Sequence, residues 1–428
     1  MAHFNTGRAA AALFTVVAAA GATASSGRTD GLHPTPAADR AASAAVRLTL
    51  DDLTALVDHH PLLAASRHTH SAALAAVDAA GAAPNPELEA TFAYGRARET
   101  PDDRFEWGLA LSIPLDWIAR RGGRMAAARA GATLAEAEAA VLRREVVETL
   151  HTLFFAVVEA EERVAVLEEM YRQATALRDT VTRRVDMGEV RPVEAVRIAV
   201  EADKIGGDLS SAEETVKGRR ARFARWLGGA GGRTVVAVAD LAKLPSPMTA
   251  AEAAAAVRRA HPMVIAETAR LRSLEAEVEV ARRERTPSLS ARVFTDHELD
   301  RRAYGGGVSI ALPLWNWNTA EIDRAERLLA AGETQLTATR FALEGEAIEA
   351  QTACRAAVAR AAHYRDKVLP NAVSAAETVA RTYALGEAPL LDVIDARRTL
   401  VETKGALLDA LVEAHTDCNR LFVLVGKE

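Results

Sequence analysis

The sequence predicts a mainly α-helical protein with a small β part, built from duplicated long helical hairpins and four short amphipathic strands. Three observations carry this reading. The chain repeats itself at an offset of about two hundred residues. Each repeat holds a helical pattern far longer than a globular helix. Each also holds two segments in which large apolar residues alternate with small or polar ones.

The bulk numbers agree. The 428 residues are 49% hydrophobic and 26% charged with a formal net charge of -6, a globular balance sufficient for two or three domains. Cations alternate with acids along helical patterns, so no basic surface for nucleic acid is expected. Aromatics are only 5% and alanine is abundant, which suits long, closely packed helices. No Ser/His/Asp, Cys/His or paired-carboxylate arrangement stands out, so neither an enzyme nor a cofactor is expected. Gly228-Gly-Ala-Gly-Gly232 lacks the Lys-Ser/Thr of a phosphate loop and reads as a linker.

Residues 1–24 read as a signal peptide: Arg8, an apolar run from Ala9 to Ala20, and Ala22-Thr23-Ala24 as a small-x-small cleavage site. That run is too short for a transmembrane anchor. No cysteine lies near the cut to carry a lipid, and residues 25–47, rich in Ala, Pro, Ser and Gly, read as a flexible leader. The two cysteines, Cys354 and Cys418, fall in helical patterns, where a small buried hydrophobe is expected rather than a disulfide.

The first repeat is placed at 48–228, a linker at 229–247 and the second repeat at 248–428. His60-Pro61-Leu62 answers His261-Pro262-Met263, and Pro86-Glu-Leu-Glu-Ala90 answers Pro287-Ser-Leu-Ser-Ala291. Gly108 to Leu115 answers Gly307 to Leu314, and Leu227-Gly228 answers Val425-Gly426. Within each unit a helical stretch comes first, from about Leu50 and again from about Thr249, broken or started at Pro61 and Pro262.

Two strands follow. Phe105, Trp107, Leu109, Leu111 and Ile113 alternate with Glu106, Gly108, Ala110 and Ser112; Val308, Ile310 and Leu312 repeat the pattern. The first strands are weaker: Leu88 to Tyr94 alternates well, whereas Leu289 to Phe294 loses the alternation at its end. Polar turns, ARETPDDR and DHELDRRA, make each pair a hairpin.

A very long helix comes next. From Leu142 apolar residues recur at alternating threes and fours through Val146, Leu150, Leu153, Val157 and on to Val185, the spacing of a heptad seam. No proline interrupts Trp117 to Asp186, a span of roughly 100 Å at 1.5 Å per residue. The chain turns at Gly188 and returns from Pro192 to Trp226; the second repeat runs from Thr319 to Ala384 with one proline, Pro370, turns at Gly386 and returns from Pro389 to Leu424. Each glycine suits the left-handed position that ends one helix, and each proline starts the next.

Four amphipathic strands cannot close a barrel, and in lipid an open edge leaves backbone groups unpaired, so insertion requires other chains. Three copies would give twelve strands. Trp107, Trp117, Trp315 and Trp317 cluster around the second strands and their exits, where an interfacial aromatic belt would sit. The competing readings are a small soluble sandwich plugged by these tryptophans and a periplasmic coiled-coil adaptor or scaffold without a channel.

In its order of helix, hairpin, long helix, Gly turn and return helix, and in Tyr383-Ala-Leu-Gly386-Glu-Ala-Pro-Leu-Leu-Asp392-Val-Ile-Asp395-Ala-Arg-Arg-Thr-Leu400, the chain resembles the TolC-like outer-membrane efflux proteins. The likeness covers roughly Leu48 to Gly426. Pro84-Asn-Pro-Glu-Leu88 and Arg120-Arg-Gly-Gly-Arg124 resemble the heavy-metal, CzcC-type branch. The resemblance implies a homotrimer with a twelve-stranded barrel in outer-membrane lipid and a helical tunnel across the periplasm. It implies a passive conduit, possible for metal cations, docked to a periplasmic membrane-fusion adaptor and through it to an inner-membrane pump of the RND type.

The same resemblance places the tunnel entrance at Asp392 and Asp395, three apart on one helix face, with Glu194 and Arg197 at the corresponding positions of the first repeat and Tyr383 one turn before the second tip. Rings of acids would attract cations and repel one another; Arg197, where a second acid would stand, could pair with Asp395 or Asp392 from the neighbouring hairpin and hold the entrance shut. The docking tips would be Gly188-Glu189-Val190 and Gly386-Glu387 with Pro389. His59, His60, His68 and His70 crowd one segment, but 60 to 68 and 68 to 70 are not the i, i+4 spacing of a helical ligand pair. No metal site is expected, and His60 and His261 read as matched helix breaks.

Overall fold

The computed structural model describes residues 46–96, 103–228, 235–298 and 301–427. The expected signal peptide and all but the end of the expected leader lie outside the described residues. In chain order the elements are β1 (Val46–Leu48), α1 (Leu50–Val57), α2 (Pro61–Gly81), β2 (Glu87–Arg96), β3 (Asp103–Pro114), α3 (Trp117–Asp186) and α4 (Pro192–Trp226). The second half follows with β4 (Val235–Ala237), α5 (Ala250–Ala260), α6 (Pro262–Arg283), β5 (Ser288–His297), β6 (Arg302–Ala311), α7 (Thr319–His363), α8 (Leu369–Ala384) and α9 (Leu390–Leu424).

The two halves start alike for the same chemical reasons. Thr49 and Thr249 cap α1 and α5 through capping boxes with Asp52 and Glu252. His60 and His261 then cap α2 and α6, each Nδ1 accepting the N–H two residues on, from Leu62 at 3.3 Å and Met263 at 3.1 Å, with the following proline at the first helical position. His261 is 3% exposed and its Nε2 meets the Arg144 guanidinium of α3. Burial, and then the Arg144 charge, push its pKa down to about 4.

β2, β3, β5 and β6 form one antiparallel sheet in that order. The register puts Leu88, Phe92 and Tyr94 of β2, Phe105, Trp107, Leu109 and Ile113 of β3, Val293 of β5, and Tyr304, Val308 and Ile310 of β6 on one face. All of these side chains are exposed, from 36% at Trp107 to 88% at Tyr304. The opposite face carries Glu89, Glu106, Ser112, Ser290, Arg292 and Asp296, with Arg292 and Glu89 paired at 3.1 Å. Phe294, which broke the alternation in the sequence, turns to this polar face and lies on Gly305, where an added Cβ would come within 2.8 Å of the ring. An aromatic ring over a strand glycine covers backbone that would otherwise be bare.

α3 is one unbroken helix of 70 residues. Its centre, around Val146, Leu150, Phe154 and Val157, is buried against α1, α4 and α9 together with β1 and β4. Two expectations are corrected there. β1 and β4 pair in parallel, Val46 with Val235 through Leu48 with Ala237, so the leader becomes a strand at Val46 and the linker at 229–247 contains strand β4. Leu48 and Leu241 are buried in this cluster. Three-residue strands carry no periodic signal, which is why sequence patterning passes over them.

The second long helix differs from the first. Residues Tyr364–Val368 form a π-turn, with the Leu369 N–H bonded to the Tyr364 carbonyl. Pro370, lacking an N–H, follows at once, and a widened turn accommodates the bond it cannot make. The expectation of two unbonded cysteines is also corrected: Cys354 of α7 and Cys418 of α9 form a disulfide, with Cα atoms 4.6 Å apart and neither side chain exposed. Both residues do face the core, as a small hydrophobe would; facing each other across the two helices is what spacing alone cannot reveal.

Closing a loop of 64 residues gives a stabilisation of about 4 kcal/mol in the chain-entropy treatment. The Cys354→Ser/Cys418→Ser protein should therefore show a lower thermal midpoint than the unaltered one, dithiothreitol should lower the unaltered midpoint to match, and the double variant should ignore the reductant. For His261 the folded pKa of about 4 lies below the unfolded value of about 6.5. The unfolded state binds the extra proton, so stability is full above pH 6.5 and falls as pH drops towards 4. His261→Asn keeps a capping acceptor and should flatten that part of the stability profile, measured by denaturation at several pH values.

Candidate functional site: the hairpin tips

Both long hairpins turn through the same device. Gly188 and Gly386 sit at φ +75° and +78°. Gly188 N–H bonds to the Val185 carbonyl and Glu189 N–H to Arg184, at 2.9 and 2.8 Å; Gly386 bonds to Tyr383 and Glu387 to Thr382, both at 3.0 Å. These are two complete Schellman motifs. An added Cβ at either glycine meets nothing within 4 Å, so the conformation, not space, demands glycine. Pro192 starts α4 and Pro389 caps α9 in an extended conformation.

The two tips pack side by side. Val181, Ile198, Tyr383, Leu390, Val393 and Ile394 form a buried cluster, with Val190 partly buried against it. Arg184 links the hairpins: it pairs with Glu189 at 3.0 Å and its guanidinium lies 5.2 Å from the centre of the Tyr383 ring, a cation–π contact. Tyr383 is only 8% exposed, and its buried hydroxyl makes no hydrogen bond of ordinary geometry. Burial raises its pKa, Arg184 opposes this and Glu194 adds to it.

Of the predicted entrance residues, the structure brings Tyr383 and Glu194 together, Glu194 being half-buried with Arg191 at 3.7 Å. Asp392, Asp395 and Arg197 are exposed, and among the described residues no intrachain ion pair joins Arg197 to either aspartate. Beyond them Arg398 holds Glu201 at 2.8 Å, tying α9 to α4. Sequence reasoning missed Arg184 and this Arg398–Glu201 pair, since one arginine among many on a helix gives no sign of a partner two hundred residues away.

Trp107 lies on the apolar face of the sheet, its ring 5.9 Å from that of His297. Trp117 is the first residue of α3, and Trp315 and Trp317, 93% and 50% exposed, lie between β6 and α7. The aromatics Tyr94, Phe105 and Tyr304 collect towards the other end of the strands, Phe105 against Phe92 and Tyr94. Among the described residues no group of three or more His, Cys, Asp or Glu could hold a metal ion, and no helix is long and apolar enough to cross a membrane.

An exposed apolar sheet at one end of helical hairpins about 100 Å long defines an outer-membrane channel with a periplasmic extension. The comparisons agree. The chain matches the outer membrane efflux protein family over residues 53–229 and 254–427, the two structural halves, and it belongs to that family. It is 26% identical over 346 residues, covering 80% of this chain and 81% of the other, to the "Cobalt-zinc-cadmium resistance protein CzcC" of Cupriavidus metallidurans. Its fold is similar to that of the outer-membrane channel OprN, with a TM-score of 0.74, 19% identity and 89% and 90% of the two chains covered. It is likewise similar to CusC, with a TM-score of 0.74, 17% identity and 89% and 92% covered. The protein is an outer-membrane efflux channel, and its family is one of transport channels rather than enzymes.

Gly386→Ala and Gly188→Ala should each cost about 1 kcal/mol of local stability through the left-handed backbone alone, with Asn less harmful. Hydrogen exchange at the Glu189 and Glu387 amides, the donors of the two motifs, should quicken about fivefold while exchange at the α3 centre stays unchanged.

Proposed function

We propose that three copies of this chain form a conduit for metal cations, taking substrate from a periplasmic adaptor and an inner-membrane pump of the RND type and releasing it outside. The observation that carries the reading is the four-stranded sheet whose outward face is apolar across every strand, with β2 and β6 as free edges. Lipid cannot hydrogen-bond those edges. Three copies, β6 of each paired with β2 of the next, close twelve strands, within the range of outer-membrane barrels. A soluble adaptor or scaffold would leave the apolar face without a partner.

The helical hairpins would then line a tunnel, with Trp117, Trp315 and Trp317 at the inner lipid interface. The tips, Gly188-Glu189-Val190 and Gly386-Glu387 with Pro389, would meet the adaptor. Asp392 and Asp395 would form two rings of three acids at the entrance, attracting cations. Arg197 would reach those acids from the neighbouring copy and hold the entrance narrow. The cation assignment draws on those exposed acids and on the relative named for cobalt, zinc and cadmium resistance.

Planar-bilayer recording tests this. The unaltered protein should conduct with a preference for cations, and Asp392→Ala/Asp395→Ala should lower the cation-to-anion permeability ratio several-fold. Arg197→Ala should raise conductance. Folded protein that never conducts, even with Arg197 replaced, would overturn the conduit; a selectivity indifferent to both aspartates would overturn the entrance assignment.

A further inference from the structure

About three turns above the Gly386 tip, α3, α4 and α9 border a cavity of about 210 Å³. Its walls are mainly apolar: Met170 of α3, Ile198 and Ile205 of α4, Ile394 and Val401 of α9. Into the same space comes Arg397. A guanidinium carries five N–H donors, and among the described residues this one makes a single hydrogen bond, to the carbonyl of Gln173 at 2.8 Å.

The cavity lining carries three acids and three cations, yet none of the acids pairs with Arg397. The half-buried Glu201 is held by Arg398 at 2.8 Å. Lys204, Asp208 and Glu402 line the rim and are exposed to water. Among the described residues no ion pair reaches Arg397, and burial lowers its pKa. A half-buried guanidinium without a counter-charge is unfavourable. Such a pairing of free donors with apolar walls fits an anion with an apolar body.

We propose that this cavity binds a small apolar monocarboxylate, its carboxylate on the free donors of Arg397 and its hydrocarbon part among Ile198, Ile205, Ile394 and Val401. A planar guanidinium fits a carboxylate through two parallel hydrogen bonds. The free donors of one guanidinium fit one carboxylate, and a volume below the ~300 Å³ of drug-sized pockets fits a single ring or short chain. The inference concerns one chain's own helices and stands apart from the assembly and cation selectivity proposed above. Because α3 and α4 belong to the first hairpin and α9 to the second, an occupant would also join the two hairpins.

The test is ¹⁹F NMR of 4-fluorobenzoate titrated into the full chain in lipid nanodiscs, with benzoate and benzamide as competitors. Saturable broadening is expected, displaced by benzoate and at least about tenfold less effectively by the neutral benzamide. Arg397→Gln should weaken binding tenfold or more, and Arg397→Lys should weaken it less. Ile205→Trp, which fills the cavity and keeps the arginine, should abolish it, conductance in a bilayer reporting that each variant still folds. Equal displacement by benzamide, unchanged binding in Arg397→Gln, or no saturable binding to the unaltered protein would overturn the proposal. So would a carboxylate side chain of a second copy found on Arg397 by crosslinking.

Discussion

The backbone of the sheet sets the terms for everything else. β2 and β6 each present one row of N–H and C=O groups with no strand partner among the described residues, while the face they border is apolar from Leu88 to Ile310. An apolar face asks for lipid, and lipid makes an unpaired edge costly by several kcal/mol per group. Closure with further copies meets both demands. Once the strands close, α3 and α7, which continue from the strands through Trp117 and Thr319, must descend together as a wall. Their tips then converge at one place, and the entrance becomes a property of the assembly rather than of the chain.

The two hairpins are built to the same plan but held differently. The first relies on packing: Phe154, Phe155 and Phe223 interlock through edge-on contacts at its centre, where α3 is continuous. The second adds a covalent bond, Cys354 to Cys418, to a buried cluster that includes Leu336, Leu343, Leu421 and Leu424, and ten residues further on breaks its regularity at Tyr364–Val368 ahead of Pro370. A cross-link above and an irregular turn below divide the second hairpin into a fixed upper part and a lower part whose helix has already lost one regular turn. The first hairpin carries neither device among its described residues.

Much of this was legible in the sequence because periodicity is a property of many residues at once. Seventy residues without proline and with apolar side chains at threes and fours leave little choice but α3, and the alternation from Phe105 to Ile113 leaves little choice but β3. The tips were legible for a different reason: a left-handed turn after a helix is almost a glycine monopoly, so Gly188 and Gly386 mark themselves. What stayed hidden were pairwise events. β1 and β4 are too short for a pattern, the disulfide depends on two helices presenting Cys354 and Cys418 to each other, and Arg184 gains its meaning only when Tyr383 lies beneath it. The apolar character of Leu241 was visible, yet nothing local told that a linker residue would enter the core.

Distance decides how the proposed acid rings act. Charges separated by more than about 8 Å at physiological ionic strength are largely screened from one another and from a passing ion. Asp392 and Asp395 are exposed and solvated, so their influence depends on how closely the copies bring them. A narrow entrance places every ion within a screening length of several carboxylates, and the rings select strongly. A wide one leaves most of the cross-section beyond their reach, and selectivity fades as conductance rises. On that proposal, acids that discriminate at a closed entrance would leave an open one permissive, as a conduit would require if substrate were chosen upstream by a pump.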